Sequence, residues 1–306
     1  MTRGPTAEMA QPAVRLRANV ALLAMALIWA INFSVAKDAL SRVPPLAFNA
    51  LRFPLAALVV TIALWRGGGF RLPAREDRWR LIVLGVLGNL AYQLFFVFGL
   101  SRSRAGTASL ILAGTPMVTA LLGAVTGRER VAPRVWWGIG LTVIGIALVV
   151  VRVTPEPGSG NSRLGALLMF AATVSWSAYS LWSRDLIRRY GSLPVTAWTL
   201  WPGTLAIVLA GTPAAAALDL SALGPRDWIA IVYAGAMSIG VAYMLWSYGV
   251  RHLGATRTSA YANVTPVLAL LAAWLLLADR PTAFQLIGAL VIIGGITLAQ
   301  SPEPDL

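Results

Sequence analysis

Residues 115–130 read TPMVTALLGAVTGRER, and residues 265–280 read TPVLALLAAWLLLADR. The two stretches lie 150 positions apart and share an opening Thr-Pro, an apolar run and a closing acid–arginine pair. The correspondence extends outward from them. Gly138 and Gly145 align with Gly288 and Gly295, again 150 residues later. Towards the N-terminus, Trp29 and Lys37-Asp38 align with Trp176 and Arg184-Asp185 at an offset of 147, and Pro45 and Leu51 with Pro194 and Leu200 at 149. A single match carries little weight, but an offset that drifts by only three along the chain carries a good deal. The sequence reads as two copies of one unit.

Composition says what kind of unit. The 306 residues are 58% hydrophobic and only 12% charged, with a mean hydropathy of +0.71. A soluble protein carries about 25% charged residues, so a soluble enzyme or a free nucleic-acid binder is excluded. There is no cysteine and a single histidine, His252, which removes thiolate chemistry, disulfides and multi-histidine zinc sites. No cofactor and no metal are expected. His252 itself reads as a solvated histidine in a short connection beside Arg251.

A helix needs about 20 apolar residues to cross a bilayer. Ten such stretches are expected, at about 18–37, 45–65, 79–100, 105–126, 135–152, 163–183, 193–212, 228–249, 255–277 and 282–300. The first follows Arg15 and Arg17, but its apolar run is longer than a signal-peptide core, so it is read as an uncleaved helix. The expected fold is an all-α integral membrane protein of ten transmembrane helices, in two five-helix repeats. Its parts are an N-tail at 1–17, a first repeat at 18–152, a linker at 153–162, a second repeat at 163–300 and a C-tail at 301–306. Five is odd, so the second copy enters from the opposite side and the repeats are inverted about a central cavity. Such repeats give two nearly equivalent conformations, with the substrate near the midplane.

The net charge of +13 is topological information. With the N-tail inside, 16 of the 25 Lys and Arg fall on the inner side, among them Arg66, Arg75, Arg128 and Arg188. Lys37, Arg42, Arg104 and Arg280 are among the 8 outside, and Arg52 lies within a span. This bias predicts cytoplasmic termini and a periplasmic linker in a bacterial inner membrane.

Trp29-Ala30-Ile31-Asn32-Phe33, Pro44-Pro45 followed by Leu51-Arg52-Phe53, and Thr115-Pro116 followed by Gly127-Arg128-Glu129-Arg130 resemble the EamA-type members of the drug/metabolite transporter superfamily. Thr265-Pro266 with Asp279-Arg280-Pro281 repeats the likeness, which covers residues 18–300. The resemblance implies a ten-helix carrier with cytoplasmic termini and a central cavity, exporting amino acids or other small metabolites. Within the superfamily, the aromatic amino acid exporters of the YddG type are the subgroup of first interest.

Polar residues inside the spans supply the site candidates. Arg52 reads either as a guanidinium for a substrate carboxylate or as a structural arginine bonded to the protein or snorkelling outward. Trp29 and Asn32 in the first span, Asn89, Tyr92 and Gln93 in the third, and Trp176 and Tyr179 in the sixth lie near the midplane. So do Tyr243 and Trp246 in the eighth and Tyr261 and Asn263 in the ninth. Singly, each can be ordinary helix packing. Together they point to a cavity lined for an aromatic or bulky apolar substrate, with amides fixing its polar groups. Pro116 and Pro266 kink their helices, either as bending points or as static shapers of the cavity.

No Asp or Glu lies in the central part of any span. The intramembrane glutamate of the small multidrug-resistance relatives is missing, which argues against a proton-coupled exporter of cationic drugs. A nucleotide-sugar exchanger wants several cavity cations, and only Arg52, with Lys37 near one mouth, is present. A lipid-modifying membrane enzyme wants a carboxylate cluster that the scattered acids do not form. The expected partners are a small-molecule substrate and the lipid bilayer, with no nucleic acid, and the expected state is a monomer.

Overall fold

The computed structural model describes residues 12–67, 72–128, 132–151, 162–253, 258 and 261–300. Helix is the only regular structure among them. The helices are α1 (Pro12–Ala39), α2 (Pro45–Arg66), α3 (Arg75–Ser101), α4 (Ala105–Val125), α5 (Pro133–Val151), α6 (Ser162–Tyr190), α7 (Ser192–Ala216), α8 (Pro225–Leu253), α9 (Thr265–Leu277) and α10 (Ala283–Gln300). The first eight are long and apolar enough to cross a bilayer, and α9 and the apolar part of α10 are shorter. Leu23, Leu58, Val143, Leu167, Leu209 and Leu290 stay exposed on the outer surface, as suits lipid contact. Trp65, Trp79 and Trp137, near helix ends, are exposed too, in the manner of an interfacial belt.

Several boundaries fall outside the sequence-based ones. Helix α1 begins within the expected N-tail, and α6 runs to Tyr190, so Arg184, Arg188 and Arg189 occupy its last turns and not a loop. His252 likewise sits in the final turn of α8, its ring 4.4 Å from that of Tyr248. Glu129-Arg130, most of the 153–162 linker and the 301–306 tail lie outside the described residues.

Glycines let the helices approach closely, and several approaches come in reciprocal pairs. Gly99 of α3 sits on Met169 of α6, and Gly249 of α8 sits on Leu22 of α1. A Cβ on Gly85 of α3 would collide with the Thr199 carbonyl of α7, and one on Gly235 of α8 with the Arg52 carbonyl of α2. Adding 147 to the α1 and α2 positions, and 150 to the α3 positions, turns each contact into its counterpart. These contacts equate Arg52 with Thr199. The Pro45–Pro194 match, at an offset of 149, equates it with Trp201; because α7 begins at Ser192 and α2 at Pro45, the packed register is 147. Gly138 and Gly145 of α5 face Gly295 and Gly288 of α10, where added Cβ atoms would lie 2.5 to 2.9 Å from facing carbonyl oxygens.

Two helices contain widened π turns, Val86–Ala91 in α3 and Tyr233–Val241 in α8. They overlap when superposed by 150 residues. Such turns are rare and gather at functional sites. Helix α4 breaks at Gly114, so Pro116 stands in the first turn of a fresh half-helix, Thr115–Val125. Pro116 has no N–H for the Leu112 carbonyl, and the Thr115 hydroxyl donates to that oxygen at 2.6 Å instead. Pro266 stands in the first turn of α9 in the same way, but the Thr265 hydroxyl is buried without a partner.

Candidate functional site

The π turn of α8 builds the first wall. Trp29 Nε1 donates to the Ser238 carbonyl at 2.9 Å, and the Tyr233 hydroxyl donates to the Ile28 carbonyl at 3.0 Å. These two bonds fix α1 against the widened turn, with the Trp29 ring 6.4 Å from Tyr243 and 6.0 Å from Trp246. Tyr243 stacks on Trp176 of α6 at 6.2 Å. Trp176 in turn lies 5.1 Å from Tyr92 and 5.1 Å from Tyr179. Tyr92 continues to Phe96 at 5.8 Å, and Phe96 to Phe33 of α1 at 5.7 Å.

The result is an arc of rings from α1, α3, α6 and α8. Trp29, Tyr92, Trp176, Tyr243 and Trp246 are only half-buried. The hydroxyls of Tyr92 and Tyr243 form no hydrogen bond with the described residues. Each ring pair contributes about 0.5–1.5 kcal/mol beyond its buried area.

Arg52 lies under this arc, 1% exposed. Its Nε donates to Asn49 Oδ1 at 2.9 Å and its Nη2 to Gln93 Oε1 at 2.6 Å. The guanidinium also stands 4.8 Å from the Phe48 ring centre and 5.7 Å from that of Phe53. No carboxylate among the described residues pairs with it. Gln93 directly follows Tyr92 on α3, so the Gln93 bond ties the guanidinium to the helix that carries part of the arc. Two amide oxygens therefore occupy the charge that the sequence offered for a substrate carboxylate.

The other candidates separate. Asn89 Nδ2 donates to the Thr199 carbonyl at 3.1 Å, and its Cβ packs on Gly203, so it ties α3 to α7. Gln93 serves Arg52. The Tyr179 hydroxyl shares a 3.2 Å hydrogen bond with Thr199 Oγ1, while its ring packs on Gly88 and edges the arc. The Tyr261 hydroxyl donates to Asn19 Oδ1 at 2.9 Å. Asn19 is ten residues before Trp29, about 15 Å along the helix, so Tyr261 belongs to one end and not to the middle. Asn263 occupies the turn that precedes α9. Asn32 is 7% exposed, and its Oδ1 is buried with no donor, an arrangement that costs about 1–3 kcal/mol.

Ion pairs clasp both ends of the bundle. At one, Arg42 pairs with Asp227 at 2.7 Å and with Asp38 at 2.7 Å, and Arg226 pairs with Asp38 at 2.8 Å. Hydrogen bonds to Asp38 and then Asp227 raise the Arg42 guanidinium above its ordinary pKa. Arg104 pairs with Asp279 at the same end. At the other, Arg189 pairs with Asp77 at 2.9 Å and Glu76 at 3.1 Å, and the Tyr190 hydroxyl donates to Asp77 at 2.6 Å. Arg42–Asp227 and Arg189–Asp77 are one contact in two copies, 147 and 150 residues apart. Asp38 is 20% exposed and its counterpart Asp185 is 60% exposed, held among the described residues by Arg80 at 3.3 Å and Arg128 at 3.9 Å. Sequence reading left these acids as scattered; the shared offsets of Arg42 with Arg189 and Asp77 with Asp227 were the available signal. The π turns and the Phe33–Phe96 contact had no comparable signature.

The profile of the EamA-like transporter family matches residues 16–151 and, separately, 163–300. A "Probable terminal-alkyne amino-acid exporter" of Streptantibioticus cattleyicolor is 27% identical over 91% of this chain and 91% of the relative. A "Probable amino-acid metabolite efflux pump" of Escherichia coli K12 is 26% identical over 91% and 93%. An "Uncharacterized transporter YyaM" of Bacillus subtilis 168 is 26% identical over 93% of each chain. A protein of known crystal structure aligns with TM-score 0.63 at 24% identity over 93% of this chain and 96% of its own, a likeness of fold.

Proposed function

The chain belongs to the EamA-like transporter family, and from that premise we propose that it is a secondary transporter exporting aromatic or bulky apolar amino acids by alternating access. The observation that carries this reading is the ring arc, to which α1 and α3 of the first copy and α6 and α8 of the second all contribute. Half-buried rings with free tyrosine hydroxyls suit a flat, apolar side chain. The names of two relatives, an amino-acid exporter and an amino-acid metabolite efflux pump, agree with it.

Ten spans in two inverted repeats are the architecture proposed to move that substrate. The reciprocal glycine contacts support it, as do the matched helices α1 and α6, whose C-terminal ends meet the N-terminal ends of α8 and α3 respectively. In each cycle one clasp opens while the other holds. The protein is proposed to act as a monomer in a bacterial inner membrane with both termini cytoplasmic, since both repeats lie in one chain and the basic residues favour the inner side. Among the described residues the acids pair with arginines, except Asp219, which accepts from Ser221, and with no carboxylate at mid-span the flux runs without a proton gradient.

Uptake of radiolabelled phenylalanine, tryptophan, threonine and a cationic dye into proteoliposomes, with and without a proton gradient, tests this. Phenylalanine and tryptophan flux that persists without the gradient is expected. Gradient-driven dye flux without amino-acid transport overturns the reading in favour of drug export.

A further inference from the structure

Among the described residues, the buried polar atoms without partners are mostly hydroxyls, which can turn, or N–H donors. Asn32 Oδ1 differs, because a carbonyl-type oxygen only accepts. Asn32 lies one turn on from Trp29, three residues later on the same helical face of α1. Trp29 opens the ring arc at Tyr243 and Trp246, and Phe33 closes it at Phe96. The orphan acceptor thus sits on α1 beside Trp29, one turn along from the ring that opens the arc.

We infer that Asn32 is the specificity-determining acceptor for the substrate's α-ammonium group, an inference that rests on the amino-acid reading above. A charged N–H donor bonds an amide oxygen more strongly than a neutral one does, and aromatic faces around it favour a cation. No carboxylate stands in the middle of the described helices to neutralise a bare cation, so the ligand that fits is a zwitterion carrying its own.

Competition against tritiated phenylalanine in proteoliposomes tests the assignment, with unlabelled phenylalanine and 3-phenylpropionate, which lacks the ammonium, as competitors. Wild type is expected to prefer phenylalanine by about tenfold or more, the equivalent of about 1.4 kcal/mol. In Asn32→Leu the gap closes to about threefold or less, through weaker phenylalanine binding. Asn32→Asp keeps an acceptor but loses the amide donor, so the gap is retained. An unchanged gap in Asn32→Leu overturns the inference, and so does a gap lost in Asn32→Asp. If Asn32→Leu is not monodisperse in detergent, Asn32→Ala is measured in its place, with the same closing of the gap expected and an unchanged gap overturning the inference. No phenylalanine flux in wild type instead overturns the amino-acid reading itself, and the inference with it.

Discussion

At the residue scale, Arg52 and Trp176 make opposite demands. Arg52 is locked by Asn49, Gln93 and two phenylalanine rings. Its replacement by Met leaves two buried amide oxygens without donors, at about 1–3 kcal/mol each. Arg52→Met is therefore expected to lower the melting temperature in detergent markedly, and Trp176→Ala to raise the KM for phenylalanine about tenfold or more beside the stability lost with its three ring contacts. A thermal melt beside a flux titration separates them. The residues were legible in the sequence as polar or aromatic groups at mid-span, because ionisable and amide groups are costly there. Which of them face one another was not. Asn89 and Tyr261 have the same composition signal as Trp29, and only packing against Thr199 and Asn19 removes them from the arc.

At the element scale, Gly235 within one π turn and Gly85 just before the other make the tightest approaches to a neighbouring backbone. A Cβ on Gly85 or Gly235 meets a backbone carbonyl that cannot move aside, whereas Gly140 and Gly294 have nothing within 4 Å. Gly235→Ala and Gly85→Ala are expected to cut the yield of monodisperse protein and its flux. Gly140→Ala and Gly294→Ala change neither, and size-exclusion profiles of the four variants check the contrast. The helices themselves were legible, since an apolar run of 20 residues has few alternatives in a bilayer. Their widened turns were not, because a π turn reflects a neighbour's demand and not the local sequence. Trp29 claims the Ser238 carbonyl from another helix, 209 positions away.

At the scale of the whole molecule, the repeat read from Thr115-Pro116 and Thr265-Pro266 reappears as reciprocal contacts and a clasp at each end. The clasps are not equally tight. Asp38 is drawn into a compact cluster with Arg42 and Arg226, while Asp185 stays 60% exposed on longer contacts. Maleimide is expected to label Asp185→Cys several-fold faster than Asp38→Cys in solubilised protein, with equal rates marking two ends in the same state. Because the chain has no native cysteine, the clasps can also be locked directly. Phenylalanine counterflow through Arg42→Cys/Asp227→Cys and through Arg189→Cys/Asp77→Cys, before and after a short bis-thiosulfonate cross-linker, tests alternating access at each end. Flux abolished by either cross-link and restored by reductant is the predicted result; flux that continues with one end sealed contradicts it.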